Sequence, residues 1–200
     1  MADTNEWFNT TEGEKPHASL WNYNNQDFIG GGGCHYDSDM NVASGATIPA
    51  GVLLEVDFET RKAYVVKNAK ITGGTASSPQ VSKGSLFKVQ DAVYVSGAAV
   101  TITAIDTSNS SYDVFSLSGS VEGFQVGKFF ENAVAAGASP VMAHTPNAIT
   151  QEWQYNVNAG SPVTAAVLRI YQDVDTSVFP IPISPAQIAL ANETGRFLLY

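Results

Sequence analysis

Cysteine is almost missing from this chain, and the single Cys34 argues against an internal disulfide framework or a cysteine-rich metal site. Basic residues are also scarce. Ten Lys and Arg stand against nineteen Asp and Glu, for a formal net charge of −9. Nucleic-acid binding requires a basic stripe that displaces counterions from phosphates, so the charge argues against it. An electrostatic membrane anchor is disfavoured for the same reason. Charge of either sign is thin, at 14% of residues against roughly 25% in a typical globular domain. No apolar run reaches the length of a transmembrane helix. The opening MADTNEWFNTTEGEKP is acidic and lacks the basic-then-apolar order of a secretory signal.

Catalytic signatures are equally sparse. His17, His35 and His144 are far apart, and no Gly-x-Ser-x-Gly elbow occurs. Gly30 to Gly33 is a hinge or tight loop rather than a P-loop, because no Lys-Ser or Lys-Thr pair follows it. Cys34, His35, Asp37 and Asp39 cluster in sequence without metal-ligand spacing, and read as turn-forming polar residues. No enzymatic activity, cofactor or metal is expected.

What is present is short strands and turns. Val52, Leu54, Val56 and Phe58 alternate with Glu55 and Asp57. Glu59 to Lys62 reads as a turn, and Ala63 to Lys67 as the returning strand of a β-hairpin. On that reading the Asp57 and Glu59 carboxylates share a solvated face. From Val81 to Leu117, strands at Val93–Ser96, Val100–Ile105 and Tyr112–Leu117 are separated by Gly97 and by the turn-rich DTSNSS. Asn68 to Pro79 reads as the connector into this module, and Gly119 to Gly127 as the connector out. Later, Glu152 to Val157 alternates with Trp153 and Tyr155 on one side, and VTAAVLRIY reads as a buried strand. Alternating prolines keep residues 178–183 extended. Ser184-Pro185-Ala186-Gln187 is a capping box that starts a helix running to about Asn192.

The fold class is therefore mainly all-β, with one short C-terminal helix. Residues 1–47 read as an extended N-terminal arm. Residues 48–72 and 132–200 form a β-rich frame, and 73–131 an inserted small barrel-like module. The arm spaces Trp7, Phe8, Trp21, Tyr23 and Phe28 too irregularly for helix or strand. These rings either fold back onto the protein's own core or contact a capsid or another subunit.

Three segments carry a resemblance: IPAGVLLEVDFETRKAYVVKNAKIT, KGSLFKVQDAVYVSGAAVTITAIDTSNSSYDVF and VTAAVLRIYQDV with its proline-rich and helical tail. Together they resemble the head fibre proteins of tailed bacteriophages, particularly crAss-like and other phages of Bacteroidota, over roughly Ile48 to Tyr200. Gln90 stands where that pattern has a glycine. The resemblance implies a structural virion protein on the outer capsid face, with the major capsid protein as partner and a homo-oligomeric, often trimeric, state. A surface adhesin or carbohydrate-binding module is the alternative. In that case Trp153, Tyr155 and Tyr171 would stack on a host-surface glycan, although core packing is the commoner fate of such rings.

Overall fold

The hairpin follows from its apolar alternation and from one carboxylate. Strands β4 (Leu53–Asp57) and β5 (Lys62–Val65) pair antiparallel, with Asp57 opposite Lys62. Asp57 closes the turn by accepting from the Glu59 amide (2.9 Å) and the Thr60 hydroxyl (2.6 Å). The Thr60 and Glu59 bonds hold its carboxyl below the usual range. Asp57 is thus a turn cap rather than half of a carboxylate pair. Phe58 lies beyond the strand end and is exposed, so the expected apolar face stops at Val56.

A computed structural model describes residues 26–28, 34–37, 41–150, 153–163, 165–168, 173–174, 179–193 and 198–199. The described residues are mostly β-sheet with one short helix. In the frame, β1 (Gln26–Phe28), β2 (His35–Tyr36), β12 (Ala148–Thr150) and β14 (Ala165–Leu168) join the hairpin in a six-stranded sheet ordered β1-β14-β12-β4-β5-β2. The β2–β5 pair is parallel and the other pairs are antiparallel. Residues 26–28 and 35–36 therefore belong to the frame sheet, although the sequence places them in an arm. Tyr36 and Cys34 are buried with Leu54, Val56 and Ala63, and this is why that segment is drawn in.

The sheet has apolar material on both faces. Leu54 and Val56 pack toward Ile48 and Val157, contributed by the small antiparallel pair β3 (Ala46–Ile48) and β13 (Gln154–Val157). Leu53 and Ile149 pack on the other side against Phe179 and Ala191. A side chain at Gly51 would meet the Phe179 ring at 2.9 Å, so glycine is required for that approach. Helix α1 (Pro185–Glu193) starts as the capping box predicts, with the Ser184 hydroxyl accepting from the Gln187 amide at 3.1 Å. Near the C-terminus, β15 (Asp173–Val174) and β16 (Leu198–Leu199) form a short parallel pair.

Between β5 and β12 the chain builds a closed antiparallel barrel. Its strands are β6 (Asn68–Gly74), β7 (Pro79–Ser82), β8 (Ala92–Tyr94), β9 (Val100–Asp106), β10 (Tyr112–Leu117) and β11 (Phe129–Ala133), ordered β10-β7-β6-β11-β8-β9. Closure leaves no edge for strand addition. Phe115 centres the interior, edge-on to Phe87 at 5.7 Å and tilted on Phe130 at 6.1 Å. The barrel begins at Asn68 and ends at Ala133, wider than the 73–131 read from sequence. Asn68 to Gly74 is its first strand, where the sequence suggests a connector. The DTSNSS turn forms as its chemistry predicts, with Asp106 and Asn109 accepting from the Ser108 and Ser111 amides.

Candidate functional site

The most unusual surface lies on β13. Between the register pairs Gln154–Ile48 and Val157–Ala46, two residues of β13 stand against the single Thr47 of β3. That two-against-one count is a β-bulge, and Asn156 sits in it at φ +52. The bulge breaks alternation, so Tyr155 and Asn156 both face solvent while Gln154 and Val157 are both buried. Trp153 joins them, 36% exposed, beside Tyr155 at 68%. Their rings are near-parallel, 17° apart in plane with centroids at 6.2 Å.

The strand beneath is held in place. Tyr36 donates its buried hydroxyl to Gln154 Oε1 at 2.9 Å, and burial pushes that phenol up from its ordinary value. The Gly45 amide donates to the Val157 carbonyl at 2.9 Å. Asn158 donates to the Asn156 carbonyl and accepts from the Ser44 hydroxyl, tying the bulge to the loop before β3. The rings therefore lie at a hydrogen-bonded strand pair, with the Asn156, Asn158 and Ser44 side chains on the adjoining bulge and loop.

A second constellation covers the outer side of the hairpin. His144 Nδ1 lies 2.7 Å from Glu55 Oε2, and its ring stacks on Tyr64 at 4.8 Å and 8°. The Tyr64 hydroxyl donates to Asp37 at 2.6 Å, and Asp37 pairs with Lys62 at 2.8 Å. This chain of contacts ties the loop after the barrel to the hairpin and to the segment after β2. It consumes His144 and Asp37 in structural bonding.

The third cluster joins barrel to frame. Buried Gln187 of α1 donates through Nε2 to Glu131 (2.9 Å) and to the Lys67 carbonyl (3.1 Å), and accepts from Asn68 at 2.5 Å. Burial pushes the Glu131 carboxyl up to about 7, against opposing hydrogen bonds from Ser184 and Gln187. Beside it, the buried Lys67 ammonium bonds Asp91 and the Asn41 carbonyl. Sequence gives little sign of this network, because Gln187 reads there only as the last residue of a capping box, three after Ser184.

The candidate residues of the arm fare unevenly. Trp7, Phe8, Trp21 and Tyr23 lie outside the described residues, as do Tyr171, His17 and Asp39. Phe28 lies in β1, its backbone paired with Ala166 of β14. Cys34 is buried, and burial pushes its thiol up. His35 is exposed in β2. Of the three aromatics considered for a sugar platform, Trp153 and Tyr155 are brought together on the surface rather than into the core. Comparison with protein-family models, with curated proteins and with solved structures finds no match.

Proposed function

We propose that this is a structural virion protein, a head fibre or decoration protein held on the outer face of a phage capsid through the major capsid protein. The observation that supports it most is how the barrel is mounted. Its first and last strands are neighbours, with Asn68 paired to Glu131 and Ala69 to Phe130. The chain leaves the frame and returns to it at one place, so the rest of the closed barrel projects as a unit. The buried Gln187–Glu131–Asn68 and Lys67–Asp91 contacts then fix its attitude on the frame. A displayed module needs such a rigid mount, and a closed barrel resists edge-to-edge aggregation at the high local copy number of a lattice.

The resembling segments span both parts in order: β3 to β6, then the barrel, then β14 onward. Attachment falls to the frame side and to the segment carrying Trp7, Phe8, Trp21 and Tyr23. Self-association would use uncharged surface, because copies of net charge −9 repel one another. The loop after β11 offers it: Val134 and Val141 are exposed, and no Asp, Glu, Lys or Arg occurs between Glu131 and Glu152. A homotrimer is one such assembly.

Co-sedimentation with capsids of the encoding phage, with electron microscopy of particles lacking the protein, tests the reading. Full-length protein is expected on the outer surface. A variant lacking residues 1–25, which leaves every described strand in place, is expected to fold but to stay in the supernatant. Absence of the full-length protein from purified capsids would overturn the proposal.

A further inference from the structure

We infer that the Trp153–Tyr155 face on β13 is a binding site for neutral glycans. Three features of the molecule carry this. The first is the bulge, which turns two consecutive side chains of a short strand outward and sets Asn156 next to Tyr155. Bulges recur beside binding sites because they re-aim side chains in this way. The second is rigidity. Gln154, between the two aromatics, is anchored from below by Tyr36, so the rings need little ordering when a ligand arrives.

The third feature is the chemistry of the surroundings. Two near-parallel rings offer π faces to the C–H faces of pyranose rings. The flanking Asn156, Asn158, Ser44 and Thr47 supply neutral donors and acceptors suited to hydroxyls. A basic side chain would be expected on a site for sulfated or sialylated sugars, and the chain's net charge of −9 repels them. Among these described flanking residues none is charged, so they offer an incoming peptide no ion-pair partner. The ligand class is thus a linear oligosaccharide of uncharged hexoses or N-acetylhexosamines.

This site needs no capsid, so the soluble full-length protein serves for the test. Isothermal titration would use mannohexaose, xylohexaose and chitohexaose as neutral probes, with sialyllactose and a heparin hexasaccharide as anionic ones. At least one neutral probe is expected to bind while both anionic probes do not. Trp153→Ala is expected to weaken that binding about tenfold or more. Because Trp153 is partly packed, Tyr155→Ala is the control for folding. At 68% exposure the ring can be removed without opening the core, and a similar loss is expected with an unchanged melting temperature. The inference fails if none of the neutral probes binds, if binding survives both substitutions, or if the anionic probes bind as well as the neutral ones. It fails equally if Tyr155→Ala lowers the mass seen by light scattering, since the rings would then contact a second copy.

Discussion

Asn68 and Glu131 face each other across the β6–β11 pair, and Asn68 Oδ1 is a buried acceptor with no hydrogen-bond donor among the described residues. Such an orphan costs about 1 to 3 kcal/mol. Its register partner Glu131 is buried beside it, and burial raises that carboxyl from 4.5 to about 7. Tyr94 on β8 feels the same carboxylate, and burial followed by that charge pushes its phenol up.

Glu131 therefore makes stability fall as pH rises. Between 4.5 and about 7 the folded chain holds a proton that the unfolded chain has released. The group's stabilising contribution is complete below 4.5 and is lost as pH climbs through about 7. The span from 4.5 to about 7 corresponds to about 3 kcal/mol. Glu131→Gln removes the titration and keeps the shape. Urea unfolding of both proteins is expected to show the variant gaining about 3 kcal/mol relative to the parent between pH 4.5 and pH 8. A difference that stays constant over that range would assign the pH dependence elsewhere.

Much of this architecture is legible from periodicity and turn chemistry. The β4–β5 hairpin, the DTSNSS turn and the Ser184 cap form where local rules put them, because each rests on neighbours in sequence. What escapes is non-local. β6 hides behind Gly73-Gly74, which read as a connector because only barrel closure gives them strand partners. His35 and Tyr36 carry too short a pattern to reveal a parallel pairing with β5, which depends on burial of Tyr36 across the sheet. Period two puts Trp153 and Tyr155 on one side without saying whether that side is core or surface, and the bulge that brings Asn156 out beside Tyr155 is invisible to it. Gln187 looks like a surface helix residue until Glu131 and Asn68 arrive from two other strands.

The Lys67–Asp91 pair shows how strongly the barrel is tied to the frame. Lys67 is 2% exposed, lies over the Phe87 ring at 5.5 Å, and has its ammonium pulled below its ordinary value by burial, with Asp91 opposing. Removing one partner strands the other charge. Asp91→Ala is expected to cost about 3 to 5 kcal/mol, because an uncompensated buried ammonium remains. Lys67→Met combined with Asp91→Ala is expected to cost less than Asp91→Ala alone, since no buried charge is then left over. Denaturant melts of the three variants check both points. If the double variant is the least stable, the ion pair is net stabilising and the barrel's mount depends on its attraction.

Gln90 offers a gain in stability. It sits at φ +79 in the turn Lys88-Val89-Gln90-Asp91, which the Asp91 amide closes on the Lys88 carbonyl at 3.2 Å. A positive φ at the third position of such a turn is the geometry that glycine adopts without penalty. The Gln90 amide donates to the Ile102 carbonyl, and Asp91 accepts from the Lys88 amide, which locks the strained conformation from both sides. A side chain in the left-handed region costs about 1 to 2 kcal/mol. Glycine gives back about 0.4 to 1 kcal/mol through the greater freedom of the unfolded chain. Gln90→Gly is thus expected to stabilise the protein by about 0.5 to 1 kcal/mol, seen as a higher urea midpoint with an unchanged slope. A lower midpoint would mean that the Gln90 side chain makes contacts worth more than the strain it imposes.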